Sequence, residues 1–237
     1  EHGWPRLKWH LTSQPKVSII IPTRHNRKLL SKCLRSIARS SYTEWEVIVV
    51  DSADRNADRE KWHAGMQTQV PYKLLWWQGP FNYSGANNLG AREASGEVLL
   101  FLNDDTEPLT SDWLEEMLGW LQQPEIGAVG ARLVSPNGQI QHGGDILGLN
   151  GFADHLFTGC QPNEWTLAGS ANWYRNFTAI TGACLMTTRA LFNDIGGFDE
   201  NFMLCGSDVE LCLRIRRRRL RIVCTPYAHV LHHERAT

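Results

Sequence analysis

The sequence predicts an α/β protein with a mostly parallel central sheet and flanking helices. Residues 17–21 and 45–50 are β-branched apolar runs of strand length, which is typical of parallel strands buried on both faces. Residues 27–40 lie between them and place apolar side chains at helical spacing. This strand–helix alternation predicts a nucleotide-binding first half whose polar residues collect at one edge of the sheet.

The same patterns predict the remaining elements. Strands are expected at 72–77, 98–102, 126–133, 180–187 and 221–224, and helices at 54–65, 84–95, 113–121, 188–195 and 207–219. Ser111 is expected to cap the helix that contains Trp113. Residues 136–169 are rich in Gly and His, which predicts long loops or an irregular hairpin, and residues 229–234 are expected to form a tail.

Length and composition favour one domain within a longer chain. The 237 residues are 42% hydrophobic, which is enough for one large domain or two small ones. Residues 1–15 end in a proline and are expected to form a linker or arm, and residues 16–237 a single domain. Because no run is long enough to span a membrane and no signal peptide is visible, the protein is expected to be soluble or at most peripheral.

The charge balance and the cysteine pattern argue against a general nucleic-acid binder, a disulfide-bonded protein and a compact zinc site. The 24 Lys and Arg balance 25 Asp and Glu, so a general nucleic-acid binder is not expected. The six cysteines form no CxxC pair and have apolar neighbours, which predicts buried free thiols in a reducing compartment. A zinc site from Cys205, Cys212 and the late histidines matches no compact zinc motif.

Polar residues follow three of the predicted strands. Asn103, Asp104 and Asp105 directly follow one strand, and Asp51 and the pair 23–24 follow two others. Carboxylates suit a divalent cation that holds a diphosphate. A turn or cap is an equally open interpretation of the residues at 103–105, and a P-loop is excluded because GxxxxGK[ST] is absent.

The second half offers further candidates with two interpretations each. Asp208 at a helix start is either a first-turn charge or a general base. His232 and His233 are either surface histidines or metal ligands. His142 and His155 either face a cleft or pack. The arginines at 214, 216–219 and 221 form either a solvated helix end or a surface for anionic lipid or a diphosphate-linked acceptor.

The ordered set of motifs resembles a known family. The strings are SIIIPTR (18–24), EVIVVDSAD (46–54), FNYSGANNLGA (81–91), FLNDDT (101–106), TGACLM (181–186), GGFDE (196–200), DVELCLR (208–214) and HVLHHE (229–234). Together they resemble family 2 glycosyltransferases of the GT-A fold, in the bacterial branch that builds O-antigens and includes rhamnosyltransferases.

The resemblance implies a reaction and its partners. It implies an inverting, metal-dependent transfer from a UDP- or dTDP-linked sugar to a glycan or lipid-linked saccharide during surface polysaccharide synthesis. The implied cofactor is Mg²⁺ or Mn²⁺, with an irregular second half on the acceptor side. The implied location is the cytoplasm or the inner face of the cell membrane, and other domains of a longer chain are expected as neighbours.

The resemblance also implies residue roles. Asp208 is the implied catalytic base, and Asp105 and His232 are the implied metal ligands. The implied nucleotide-binding residues are Thr23, Arg24, Asp51, Asn88, Asn103 and Asp104. Gly182, Gly197 and Phe198 are expected to shape the wall between donor and acceptor.

Departures from the family pattern keep one alternative open. His25–Asn26 and Ser52–Ala53–Asp54 replace the residues usual in the family. A degenerate domain that binds nucleotide or glycan without catalysis would tolerate such changes, whereas the set of Asp105, Asp208 and His232 favours an enzyme. A sugar nucleotidyltransferase is disfavoured because no glycine follows the first strand at 22–25.

Overall fold

A computed structural model describes residues 6–148 and 151–233. Its strands are β1 Val17–Thr23, β2 Trp45–Asp51, β3 Lys73–Trp76, β4 Val98–Leu102, β5 Thr106–Pro108, β6 Ile126–Val134, β7 Ile140–His142, β8 Asp145–Leu147, β9 Ala153–His155, β10 Trp165–Thr166, β11 Gly169–Ser170, β12 Arg175–Phe177, β13 Cys184–Thr188 and β14 Arg221–His232. Its helices are α1 Arg27–Ile37, α2 Ala57–Gln67, α3 Tyr83–Arg92, α4 Trp113–Leu121, α5 Arg189–Asp194 and α6 Ser207–Arg217.

One large sheet forms the centre of the molecule, in the order β12-β14-β6-β13-β4-β1-β2-β3. β3, β2, β1, β4, β6 and β14 run in the same direction, whereas β13 and β12 run antiparallel. β5 pairs with β14 and β7 with β6, and β8–β9 and β10–β11 form separate two-stranded sheets. The predicted α/β class with a mostly parallel sheet is confirmed.

Helices cover both faces of this sheet, as the alternation within β1 requires. Ile19 belongs to a core cluster with Leu34 of α1 and Trp113 of α4. Its neighbour Ile20 belongs to a second cluster with Ala86 of α3 and Leu211 of α6. Successive side chains of a strand point to opposite faces, so the consecutive isoleucines 19–21 need apolar partners on both sides.

The last strand is much longer than expected. β14 extends from Arg221 to His232, so the predicted strand end at residue 224 and the predicted tail from residue 229 are wrong. A register shift between Thr225 and His229 interrupts its pairing with β6. Such an irregularity breaks the two-residue period of the apolar pattern, which hid the continuation.

Two local expectations also need correction, and the expectation of loops or an irregular hairpin after residue 136 is met. Asp112, not Ser111, is the N-cap residue of α4, and it makes no side-chain cap bond; instead the Ser111 carbonyl accepts a hydrogen bond from Ser41 N. Four cysteines are buried free thiols, but Cys160 is partly exposed and Cys205 is exposed, because Cys205 lies in the loop before α6. The irregular segment from residue 136 contains the short hairpins β8–β9 and β10–β11.

The described part of the N-terminal segment lies against α4. Arg6 pairs with Glu116 and Asp112, and Trp9 packs edge-on against Trp120 at 5.4 Å between ring centroids. Residues 1–5 of the predicted arm lie outside the described residues. None of the described helices has the length and apolar character to cross a membrane.

We expect Gly90→Ala to destabilise the protein by about 1–3 kcal/mol, as overpacking does in a tight core. A β-carbon at Gly90 of α3 would clash with the side chain of Ile20 on β1. Urea unfolding gives the free energy of unfolding.

Gly65→Ala in α2 is the matched control, since no atom lies within 4 Å of its β-carbon position. It should leave stability unchanged or raise it by up to about 1 kcal/mol. Equal stability of Gly90→Ala and the wild type would show that α3 does not pack this closely on β1.

Candidate active site

The carboxyl ends of β1, β2 and β4 bring the predicted nucleotide-binding residues to one edge of the sheet. Thr23 ends β1, and its hydroxyl donates to Asp104 Oδ2 at 2.5 Å. The Thr23 oxygen also accepts from His25 N at 3.0 Å. A fully buried hydroxyl therefore fixes the loop after β4 against the loop after β1.

Asp104 carries an unusual charge environment. Burial raises its pKa to about 6 against the lowering effect of the Thr23 hydrogen bond, and the charges of Asp105 and Asp51 raise it further. Three carboxylates are thus close enough to repel one another. This edge of the sheet favours the binding of a cation.

Asp105 and His232 face each other across the pairing of β5 with β14. Asp105 Oδ1 is buried and has no hydrogen-bond donor among the described residues, although His232 Nε2 lies 3.1 Å from it. His232 Nδ1 lies 2.8 Å from Gln141 Oε1. An amide oxygen only accepts, so Nδ1 donates and Nε2 is the ring nitrogen that faces the carboxylate. A carboxylate oxygen and an imidazole nitrogen this close together are ligand types that a divalent metal ion can use.

Asp208 is held at the first turn of α6. Gly206 precedes the helix with φ +80°, a conformation that glycine adopts without steric cost. Asp208 Oδ2 accepts from Gly182 N at 2.8 Å, and Tyr83 OH donates to Gly182 O at 2.8 Å. These bonds fix the carboxylate between α6, α3 and the loop before β13.

Asp208 lines a cavity of about 520 Å³ together with Asn103, Asp145, His155 and Gly182. A second cavity of about 200 Å³ is lined by Thr23, Arg24, Phe81, Asp104 and Asp105. Tyr83, Asn103 and Leu204 line both cavities, so the two are adjacent parts of one cleft. A third cavity of about 550 Å³ lies beneath the N-terminal segment and holds none of these residues.

Asp51 lies behind this cleft. Its side chain is fully buried, and its Oδ2 accepts from His25 Nδ1 at 2.7 Å and from His63 Nε2 at 2.9 Å. Ala53 N donates to the other carboxylate oxygen. Burial raises the pKa of Asp51, but these hydrogen bonds outweigh it and hold the pKa below its usual value. Its contact with a nucleoside stays a prediction, and it requires His25 to turn away.

Asn88 is engaged with the GGFDE loop. Its Nδ2 donates to Phe198 O at 2.9 Å and to Glu200 Oε1 at 3.0 Å, and its Oδ1 accepts from Phe198 N. A β-carbon on Gly197, where φ is +72°, would lie 2.7 Å from Asn88 Oδ1. Phe198 packs against Tyr83 and Phe101. Asn88, Gly197 and Phe198 therefore support the wall of the cleft from behind.

Sequence patterns alone did not identify the partners that orient these groups. Gln141, which holds His232, and Asp145, which holds His155, come from the irregular segment without periodicity. Tyr83 could have been found from the sequence, since it lies within the motif FNYSGANNLGA. Two further groups place three ligand-type side chains together, namely His25, Asp51 and His63, and His142, Asp145 and His155.

Three of the six arginines in the basic cluster at the end of α6 pair with neighbouring acids. Arg214 pairs with Glu210, Arg218 with Asp194 and Arg221 with Glu125. Arg216 donates to Phe177 O. These pairs favour the solvated helix end, and contact with a membrane stays a prediction.

Comparison with known proteins identifies the fold and the family. The chain is 41% identical over 236 residues to the "O-antigen biosynthesis protein RfbC" of Myxococcus xanthus, covering 98% of the chain and 18% of that protein. It is 30% identical over 230 residues to the "N-acetylglucosaminyl-diphospho-decaprenol L-rhamnosyltransferase" of Mycobacterium tuberculosis, covering 86% of the chain and 72% of that protein. The chain thus spans under a fifth of the first relative.

A solved structure shares the architecture. The "mannosyltransferase PcManGT from Pyrobaculum calidifontis in complex with GDP-Man and Mn2+" superposes with a TM-score of 0.69 at 21% identity, over 96% of this chain and 61% of that one. The predicted GT-A fold is confirmed. The family model described as "Glycosyl transferase family 2" matches residues 18–196. The chain belongs to glycosyl transferase family 2.

Proposed function

We propose that this domain transfers a sugar, with inversion, from a UDP- or dTDP-linked donor to a glycan or lipid-linked saccharide in surface polysaccharide synthesis. The observation that carries the proposal is the buried, donorless Asp105 Oδ1, which lies 3.1 Å from His232 Nε2. Asp208 lines the adjacent cavity. The likeness to an O-antigen biosynthesis protein supports the acceptor class.

Asp105 and His232 would hold Mg²⁺ or Mn²⁺. Both ions accept a carboxylate oxygen. The imidazole nitrogen suits Mn²⁺ better than Mg²⁺, and the Mn²⁺ in the PcManGT complex supports a metal at this position. When bound, the ion supplies positive charge that stabilises the diphosphate leaving group. Gln141 orients His232 through Nδ1, as outer partners of metal ligands commonly do.

The nucleotide would occupy the smaller cavity. Arg24 lies over the ring of Phe81 at 5.7 Å from the centroid, and both line this cavity with Thr23, Asp104 and Asp105. Asn103 lines both cavities and would lie at the junction of nucleotide and sugar. Asp51 and Asn88 would act from behind, through His25 and the GGFDE loop.

Asp208 would remove the acceptor proton. The acceptor oxygen attacks C1 of the donor sugar from the face opposite the diphosphate, which leaves with the C1–O bond electrons while Asp208 takes the proton. Each Asp208 oxygen accepts one backbone hydrogen bond, so each retains a lone pair for the hydroxyl. Gly182 keeps the carboxylate in place, and its own β-carbon position lies 2.6 Å from Tyr83 OH.

We place the domain in the cytoplasm or at the inner membrane face, within a longer chain. The relatives' greater length supports further domains. The departures at His25–Asn26 and 52–54 favour a degenerate binding module. Against it, Asp105 and Asp208 line adjacent parts of one cleft, with His232 3.1 Å from Asp105.

Removal of the metal ligands should abolish Mn²⁺-dependent nucleotide binding. We expect calorimetric titration with UDP or dTDP to show tighter binding with Mn²⁺ in the wild type and no effect of Mn²⁺ in Asp105→Ala. Gln141→Leu should weaken Mn²⁺ binding by about 10- to 100-fold, because it frees the His232 ring.

Glu107→Gln is the matched control for this titration. Glu107 lies two residues from Asp105 on the adjacent strand β5 but pairs with His233 at 2.6 Å, so its Mn²⁺ response should equal that of the wild type. An unchanged Mn²⁺ response in Asp105→Ala would refute the metal assignment.

Asp208→Asn should lower the rate of sugar transfer by about 10²–10⁴-fold, the usual contribution of a general base. Nucleotide affinity should stay at the wild-type value, since Asp208 lies in the other cavity. Transfer is measured as nucleotide diphosphate release. Asp194→Asn, in which the carboxylate is exposed on α5, is the control. Loss of nucleotide binding with normal turnover would contradict the role.

A further inference from the structure

A histidine–aspartate group lies beside Asp208. His142 ends β7, Asp145 begins β8 and His155 ends β9. His155 Nδ1 lies 2.5 Å from Asp145 Oδ1, His142 Nδ1 lies 3.3 Å from the same oxygen, and the two Nδ1 atoms are 3.0 Å apart. His142 and Asp145 are buried, whereas the His155 side chain is 37% exposed. One member of this group therefore reaches the surface.

The proton positions in this group follow from the hydrogen bonds. Thr181 N donates to His142 Nε2 at 3.4 Å, so His142 carries its proton on Nδ1. His155 Nδ1 likewise donates to Asp145. Asp145 Oδ1 therefore accepts from His155 and lies 3.3 Å from His142 Nδ1. The geometry is that of a carboxylate that orients two rings.

His155 has one ring nitrogen left for a ligand. Its Nε2 makes no hydrogen bond with the part of the chain that the structure describes. His155 and Asp208 line the same cavity of about 520 Å³. Phe152, Phe202 and Leu204 line that cavity too, and Phe152 and Leu204 are exposed. A polar donor next to apolar faces suits a sugar ring, with its hydroxyls and its C–H surface.

We propose that His155 Nε2 hydrogen-bonds a hydroxyl of the acceptor saccharide in the cavity beside Asp208, and that Asp145 and His142 are positioning residues for that ring. The proposal rests on the proposed function, because it names the acceptor side of the same cleft. This role requires the imidazole ring of His155 to keep one orientation, so that Nε2 faces the acceptor hydroxyl.

The charges around His155 favour its donating form. Burial lowers the pKa of His155, but the hydrogen bond and charge of Asp145, with the charges of Asp154 and Asp208, outweigh burial and raise the pKa above its usual value. For His142, burial lowers the pKa below its usual value, and the neighbouring His155 lowers it further. Of the two histidines, only His155 has its pKa raised, and its side chain is also the one that is partly exposed.

The test uses the protein with Mn²⁺ and UDP or dTDP, and a panel of methyl glycosides as acceptor probes. Saturation-transfer NMR reports glycoside binding, and calorimetry reports nucleotide binding. The loss of a hydrogen bond to a charged group should weaken binding of the preferred glycoside about tenfold or more in His155→Ala and in His155→Gln. Nucleotide affinity should stay within about twofold. His10→Ala, an exposed histidine, is the control.

Asp145→Asn tests the positioning role separately. Loss of the carboxylate charge should lower the pKa of His155, followed by NMR of the imidazole ring, and should weaken glycoside binding with an unchanged melting temperature. A purely structural role would lower the melting temperature without a selective effect on the glycoside.

Several results would overturn the proposal. These are equal glycoside signals in the wild type and His155→Ala, no signal from any glycoside, or a stoichiometric metal ion that is lost in His155→Ala. Failure of the proposed function gives a different result: neither UDP nor dTDP binds to the wild type or to any variant. The comparison of glycoside binding between the wild type and His155→Ala then still decides the role of His155.

Discussion

The pairing of β14 with β5 is the contact on which the cleft depends. It sets His232 opposite Thr106, and His233 N donates to Asp105 O at 3.0 Å. These bonds fix the loop after β4, which carries Asp105, in register with the last strand β14, which carries His232. A shift of a single residue would turn His232 to the other face of the sheet. The approach of His232 to Asp105 is thus a consequence of strand register rather than of local loop conformation.

Sequence reasoning was strongest where the pattern was regular. The β-branched runs, such as residues 17–21, and the helical spacing of α1 predicted the parallel half, because burial on both faces requires an apolar residue at every position. It failed where pairing is irregular. β14 was divided into a strand and a tail because the shift between Thr225 and His229 interrupts the pattern. The helix expected up to residue 40 ends at Ile37 for a related reason: its last turns lack the buried partners that a helix needs.

Candidate ligands were predicted better than their partners. Asp105, His232 and Asp208 lie within motifs. Asp105 and Asp208 line adjacent cavities and His232 lies 3.1 Å from Asp105, whereas their chemical roles stay predictions. Tertiary contacts between distant segments hold Gln141, Asp145 and His63. No spacing of residues in the sequence links these segments. Asp51 is an example of a residue whose tertiary contacts the sequence pattern does not predict. Its position after β2 predicted access to a nucleoside, yet two histidines from α2 and the loop after β1 enclose it. A residue's place at a strand end fixes where its backbone lies, but neighbouring side chains decide whether solvent reaches it.

The charge distribution of the cleft favours a bound cation. Asp104, Asp105 and Asp51 lie close enough for the last two to raise the pKa of the first, so the nucleotide end is already short of positive charge. Among the nearby arginines, Arg24 lines the same cavity as Asp104 and Asp105 and lies over Phe81, whereas Arg27 pairs with Asp58. On the other side of Asn103, the hydrogen bond and charge of Asp145 outweigh burial and raise the pKa of His155, which shares a cavity with Asp208. The three carboxylates would repel a diphosphate bound next to them, so a counter-ion at Asp105 and His232 would stabilise it.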